Sequence, residues 1–199
     1  MIVRPIKANS EEWRSKAGQS AINTEMAKHA KRGTWDLDSV TELSDLLYQA
    51  GKTGEEIIDG GVHPILGSKG SERDASKLTW QELEALMKCR MVFTAPRART
   101  NSGLDVHAMY DDISSSPVAF QSSRTNRAYA ALRGFESSSR DAETAYLQAL
   151  LCRPNSNDAR TYVALPRQFW PEAWVKAGYR QPMVRLDYSL YGCPPSGNR

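Results

Sequence analysis

Between Asp36 and Gly51 the chain reads DLDSVTELSDLLYQAG, in which Leu37, Val40, Leu43, Leu46 and Leu47 recur at intervals of three and four. That spacing lines one face of an α-helix, so it predicts an amphipathic helix with Gly51 as its natural stop. A helix with one apolar face must bury it against another layer. Upstream, SEEWRSKAGQSAINTEMAKHAK places Trp13, Ala17, Ala21 and Met26 at helical spacing from Ser10 to about Lys31. A serine cap followed by two acids in the first turn marks its start.

Further along, VHPILGSKGS has an extended character, LTWQELEALMKC returns to helical spacing, and CRMVFTA reads as a strand. The polar, turn-rich RARTNSGLDVHAMYDDISSSP predicts a long exposed connection. After Pro117, VAFQSSRTNRAYAALRG gives Val118, Ala128, Ala131 and Leu132 one helical face and ends at Gly134. A hairpin-like pair is expected around RPNSNDARTYVALP, and a final extended run in PMVRLDYSLYG. Helices mixed irregularly with short strands define an α+β chain.

With 199 residues and 40% hydrophobic content, there is enough apolar surface for one ordinary domain or two small ones. Lysine and arginine number 26 against 23 acids, a mild basic excess compatible with nucleic acid without pointing to it. Cys89, Cys152 and Cys193 are far apart, with no CxxC or Cys/His spacing for zinc, and read as reduced thiols. No apolar run approaches a membrane span, and MIVRPIKANSEEW lacks the apolar segment of a signal peptide. The expectation is an intracellular protein, cytoplasmic or nuclear, without a membrane partner.

The stretch SSSRDAETAYLQALL, Ser137 to Leu151, carries a lone acid, Asp141, before a small and apolar run. On residue chemistry alone Asp141 is either a helix cap or a hard-oxygen metal ligand. Glu143 suits a first-turn acid, and Asp111 and Asp112 of MYDDIS suit a loop. His29, His63 and His107 have no acid or nucleophile at the spacing of a catalytic set.

Three blocks, SRDAETAYLQALL, RTYVALPRQFWPEAW and PMVRLDYSLYG, resemble in order and spacing the reverse transcriptase domain of copia-type long-terminal-repeat retrotransposon polyproteins, particularly divergent forms of the kind seen in dinoflagellates. Asp141 to Leu147 matches the family's DVKTAFLNG pattern, Tyr162 to Pro166 its YMEQP-like strand, and Val184 to Arg199 its CRLxKALYGLKQAPRxW. Thr34 to Leu43 is similar to its entry segment, Lys88 to Phe93 to its KARLVA strand, and ISSSPVAFQSSRTNRAYAALRGF to the helix before its first catalytic aspartate. The resemblance divides the chain into an N-terminal helical extension, 1–33, and the fingers and partial palm of a reverse transcriptase-like polymerase, 34–199. It implies an antiparallel sheet with packed helices.

The same resemblance implies that Asp141 is the first metal-binding, catalytic aspartate of the palm and that Ala142 offers its backbone oxygen to Mg²⁺. Tyr146 falls at the aromatic steric gate that favours deoxynucleotides. Tyr191 and Gly192 occupy the pair beneath the incoming sugar, and Lys88 and Arg90 the basic fingers positions that meet the triphosphate. Implied partners are an RNA/DNA primer-template, deoxynucleoside triphosphates and the remainder of the Pol polyprotein. The strand carrying Arg140 and Asp141 is expected beside TYVALP, with the Gln121 to Gly134 helix packed behind. The family's second and third aspartates sit in a YVDD-type hairpin that follows LYG and is absent from these residues, so the expectation is an incomplete, inactive polymerase. Two further departures point the same way: Asp187 stands at a usually basic position, and GCPPSG replaces GLKQAP. The alternative is a non-catalytic nucleic-acid-binding or interaction module in which Arg124, Arg127, Arg133, Arg140, Arg153 and Arg160 contact phosphates.

Overall fold

Two serines divide the first helical run. In the computed structural model, which describes residues 3–70, 77–94, 98–103, 120–136, 138, 145–148, 150–151 and 159–193, they begin α1 (Glu11–Arg14) and α2 (Lys16–Arg32). Ser10 accepts from the Trp13 amide at 3.2 Å, and Ser15 accepts from the Gly18 amide at 3.1 Å. A hydroxyl that bonds a first-turn amide starts a new helix instead of continuing the old one, so the single predicted helix becomes two. Gly33, in the left-handed region at φ 67°, ends α2.

The leucine period after Asp36 is divided as well, and here the predicted helix is corrected. Trp35–Glu42 is a strand, β2, and only Leu43–Thr53 is helical, as α3. β2 lies antiparallel to a strand at Pro182–Leu186, but the register shifts between Asp36 and Thr41. In that gap the Ser39 hydroxyl donates to the Asp36 carbonyl at 2.7 Å and accepts from the Arg185 amide at 2.9 Å. An irregularity of this kind breaks the two-residue alternation of a strand, so Leu37 and Val40 fall three apart and imitate a helix. The Glu42 carboxylate secures the junction by accepting from the Arg180 and Gln181 amides at 3.1 and 2.7 Å. Gly51 sits inside α3, and Gly54, at φ 70°, is the left-handed stop.

The remaining described elements are β1 (Val3–Pro5), β3 (Ile57–Lys69), α4 (Trp80–Leu86), β4 (Met87–Phe93), β5 (Arg99–Thr100), α5 (Phe120–Arg133), β6 (Arg160–Ala164), α6 (Glu172–Lys176) and β7 (Pro182–Leu186). Seven strands and six α-helices among the described residues make the chain a mixed α and β protein. β1, β3, β6, β7 and β2 follow one another across the sheet. β3 also carries β4 on its C-terminal half and β5 on its N-terminal half. All these pairs are antiparallel except β3 with β6, which runs parallel from Ile57↔Arg160 to Gly61↔Ala164. The expectation of a wholly antiparallel sheet is corrected at that pair.

Strand β3 contains the extended VHPILGSK run, and α4 opens with a capping box in which Thr79 and Glu82 satisfy each other's amides. Met87 and Lys88, expected at the end of that helix, belong to β4 because they pair with Ser68 and Gly67. Alternation sets the core: Ile58, Val62 and Leu66 of β3, Cys89, Met91 and Phe93 of β4, Val163 of β6, and Val184 and Leu186 of β7 are buried together with Ile22 of α2. On the opposite face α3 covers one end, with Leu46 and Ala50 against Ile57 and Met183. Thus the one apolar period serves two faces, since Val40 joins the larger core and Leu43 and Leu46 the smaller.

Helix α5 ends at Gly134, φ 68°, as expected, but its predicted apolar face is not packed behind the sheet: Leu132 is 85% exposed, and Ala128 and Ala131 are exposed too. Val118, the YDD acids and the first arm of the expected RPNSNDARTYVALP hairpin lie outside the described residues. None of the described helices is long and apolar enough to cross a membrane.

Candidate functional site

On β4 the buried Cys89, Met91 and Phe93 leave Lys88, Arg90 and Val92 on the opposite face, where Lys88 and Arg90 are exposed. Register places Gly67, Ile65 and His63 of β3 beside them in that order. The neighbour of Lys88 therefore has no side chain, and the neighbour of Arg90 is an isoleucine left 47% exposed. The site grows from this two-strand face.

Tyr191 completes it from the far end of the sequence. Val92 bridges Tyr191 in a parallel sense, and the Phe93 amide donates to the Tyr191 carbonyl at 2.8 Å. That backbone clamp puts the Arg90 guanidinium over the tyrosine ring, 4.9 Å from its centroid. Stacking on an aromatic face restrains a guanidinium while leaving its N–H edge available for a planar acceptor. Arg90 makes no ion pair among the described residues, so its charge is not already neutralised there.

Gly192 has a physical reason to follow Tyr191. Its φ is 80°, and a Cβ there would stand 2.9 Å from the Phe93 carbonyl oxygen. Only glycine accepts both the left-handed backbone and that approach. Phe93 is in turn tight against Gly60, where an added Cβ would meet its ring at 2.5 Å. Phe93 thus meets one glycine with its ring and the other with its backbone carbonyl, which fixes β4 relative to β3 and to the Tyr191 segment.

Of the residues singled out in the sequence, Lys88, Arg90, Tyr191 and Gly192 are brought together. Tyr146 lies in a single 3-10 turn, Ala145–Gln148, whose neighbour Leu147 is buried in the main core, while the placement of its own side chain is outside the described set. Asp141 and Ala142 also lie outside the described residues. The strand β6, beside which Asp141 is expected, pairs with β3 and with β7. Mg²⁺ has no donor set among the described residues, which hold no group of three or more histidine, cysteine, aspartate or glutamate side chains able to bind a metal ion.

Sequence reasoning gave His63 no partner and passed over Ile65 and Thr94. His63 Nδ1 is 2.8 Å from the Thr94 hydroxyl, which holds the ring at the margin of the basic face. Alternation in VHPILGSK was the available signal, since His63 and Ile65 fall on one side of an extended segment.

Elsewhere the surroundings of several titratable groups shift their pKa values. His29, 2% exposed, is stacked on Trp35 at 5.3 Å and within 3.0 Å of the Thr34 hydroxyl; burial, then Arg32 and Lys28, lower its pKa to about 4. Burial and the nearby Glu25 carboxylate push the Cys89 thiol up to about 12. Asp59 is raised by burial, with its own backbone and Arg99 opposing the shift. Arg185 is raised first by its hydrogen bond to Asp187, at 2.6 Å, and pairs with Asp36 at 3.1 Å. Asp187 therefore binds an arginine within the chain itself.

No family model matches this chain, and no curated protein or solved structure matches it.

Proposed function

We propose that the chain is the fingers and partial palm of a copia-type reverse transcriptase, with the Lys88, Arg90, Tyr191 and Gly192 surface receiving a deoxynucleoside triphosphate. The observation that supports this reading is the stacking of Arg90 on Tyr191. The resemblance assigns these two residues to the triphosphate and the sugar from separate blocks, and backbone pairing brings them together. Arg90 offers a fork to two phosphate oxygens, Lys88 a mobile point charge, and Gly192 a place where no side chain lifts the ligand off the backbone.

In the complete enzyme of this family a primer 3′-hydroxyl attacks the α-phosphorus and pyrophosphate leaves; Mg²⁺, when bound, would supply Lewis-acid stabilisation of the developing charge. Asp141 and the Ala142 carbonyl would hold metal, and Tyr146 would test for a ribose 2′-hydroxyl. Within these residues the resemblance supplies a single metal-binding carboxylate, so the expected behaviour is binding without polymerisation.

Equilibrium binding of a fluorescent deoxynucleoside triphosphate in the presence of primer-template tests the reading. Losing a bidentate, charge-assisted contact costs about 1.5–3 kcal/mol, so Arg90→Ala weakens binding roughly 10- to 100-fold, and Arg90→Lys recovers only part. Equal affinity of the wild type, Arg90→Ala and Tyr191→Ala overturns the assignment.

A further inference from the structure

Helix α2, strand β2 and the 3-10 turn Arg167–Phe169 leave a groove of about 230 Å³ between them. Asn23, Ala27 and Ala30 contribute from one face of α2 at helical spacing, Trp35 and Leu37 from one face of β2 at strand spacing, and Phe169 from the turn. Larger side chains at the two alanines would fill this interval, and alanine leaves it open.

Size, charge and hydrogen bonding each limit what fits. A cavity of about 150 Å³ takes benzene and drug-sized ligands need about 300 Å³ or more, so the groove suits one or two fused rings. Its lining carries no charged side chain, so an ion entering it would lose water without gaining a partner. Two of the lining side chains, Trp35 and Phe169, are aromatic, which favours a flat ligand. His29 stacks on Trp35 with ring centroids 5.3 Å apart, so that part of the wall is set before any ligand arrives. Trp35 is 4% exposed, yet its Nε1–H is one of two buried side-chain groups among the described residues with no hydrogen-bond partner. Folded proteins rarely leave a buried donor unmet, so an acceptor is the missing element. A nucleobase carries more polar edges than this indole and the Asn23 amide can satisfy.

We infer that the groove between α2 and β2 binds a small uncharged aromatic molecule of one or two fused rings, bearing an acceptor that takes the Trp35 indole N–H. The site shares no residue with the Lys88, Arg90, Tyr191 and Gly192 surface, so it does not depend on the nucleotide reading.

Quinoline, neutral at mildly alkaline pH and carrying a ring nitrogen as acceptor, is the probe. It is titrated into the full chain and followed through the Trp35 indole N–H resonance in proton–nitrogen NMR spectra, which is assigned by its absence from Trp35→Phe. That resonance moves downfield and saturates with a Kd at or below about 1 mM, within reach of a ligand of about ten non-hydrogen atoms. Ala27→Leu with Ala30→Leu, at two exposed positions that suit a good helix former, fills the groove and weakens binding at least about 10-fold while circular dichroism matches the wild type. Indole, of similar size but without the acceptor, binds about 2- to 10-fold more weakly, the worth of one hydrogen bond. Arg90→Ala leaves quinoline affinity unchanged, which separates failure here from failure of the nucleotide reading. The inference is overturned by a Trp35 resonance that does not shift, or by undiminished affinity in the leucine double variant. It is overturned equally if N-acetyl-tryptophanamide binds at least about 10-fold tighter than quinoline, since the groove would then belong to a side chain of a partner protein.

Discussion

Gly60→Ala probes how the Arg90 and Tyr191 surface is held. An added Cβ would stand 2.5 Å from both Cε2 and Cζ of Phe93, and that ring is only 2% exposed, so it has no route into solvent. Forcing a methyl group into a filled core costs about 1–3 kcal/mol. Gly60 is not among the glycines with positive φ, so alanine also restricts the unfolded chain and returns about 0.4–1 kcal/mol. The net loss is about 1–2 kcal/mol, which at a urea m-value of about 1–3 kcal/mol per molar lowers the midpoint by roughly 0.5–1 M. Leucine lacks the two ring atoms that clash, so in a Phe93→Leu background the same alanine is neutral or mildly stabilising. Urea denaturation of wild type, both single variants and the double variant measures that coupling, expected at about 1–2 kcal/mol. Equal cost of Gly60→Ala in both backgrounds refutes the argument that the Phe93 ring is wedged against Gly60.

Two further predictions concern titratable groups in the core. The folded pKa of His29 lies near about 4, below its ordinary value of 6.5, so on acidification the unfolded chain takes up this proton first. The contribution of His29 to stability is full above pH 6.5, falls between there and about 4, and flattens below; His29→Gln removes that part of the acid slope in urea midpoints measured against pH. Cys89 is 5% exposed and its thiol is pushed up to about 12, so in the native protein it resists alkylation at neutral pH and reacts only on unfolding, as peptide mass mapping with and without denaturant reads out.

How far the fold was legible depended on how local its causes are. The Ser10 cap and the Gly134 stop act within a few residues, and each marks a helix end that the letters predict. The alternation of Cys89, Met91 and Phe93 likewise announced a strand. Leu37 and Val40 misled because the register shift in β2 is stabilised by Ser39 meeting the Arg185 amide, a partner in a distant strand. The parallel alignment of β3 with β6 is similarly invisible, since nothing in Ile57 or Arg160 names the other. For the candidate site, Lys88 and Arg90 were singled out by the resemblance alone, since as isolated residues they read as surface charges. The contact of Arg90 with Tyr191 needed the Val92 bridge, and the place of His63 and Ile65 needed the register of β3 with β4.

The β3 and β6 pairing also orders events in time. Its partners are separated by about one hundred residues, so closing that loop costs more entropy than any hairpin and local contacts reward it only late. During synthesis β3, α4 and β4 emerge and associate well before β6 exists. Until Arg160–Ala164 is made, the residues around Ile57 to Gly61 present bare amides and carbonyls on the side that β6 will fill. A nascent chain paused in that interval is therefore the species most open to strand exchange with a neighbour, and the arrival of β6 acts as the step that commits it to its own sheet.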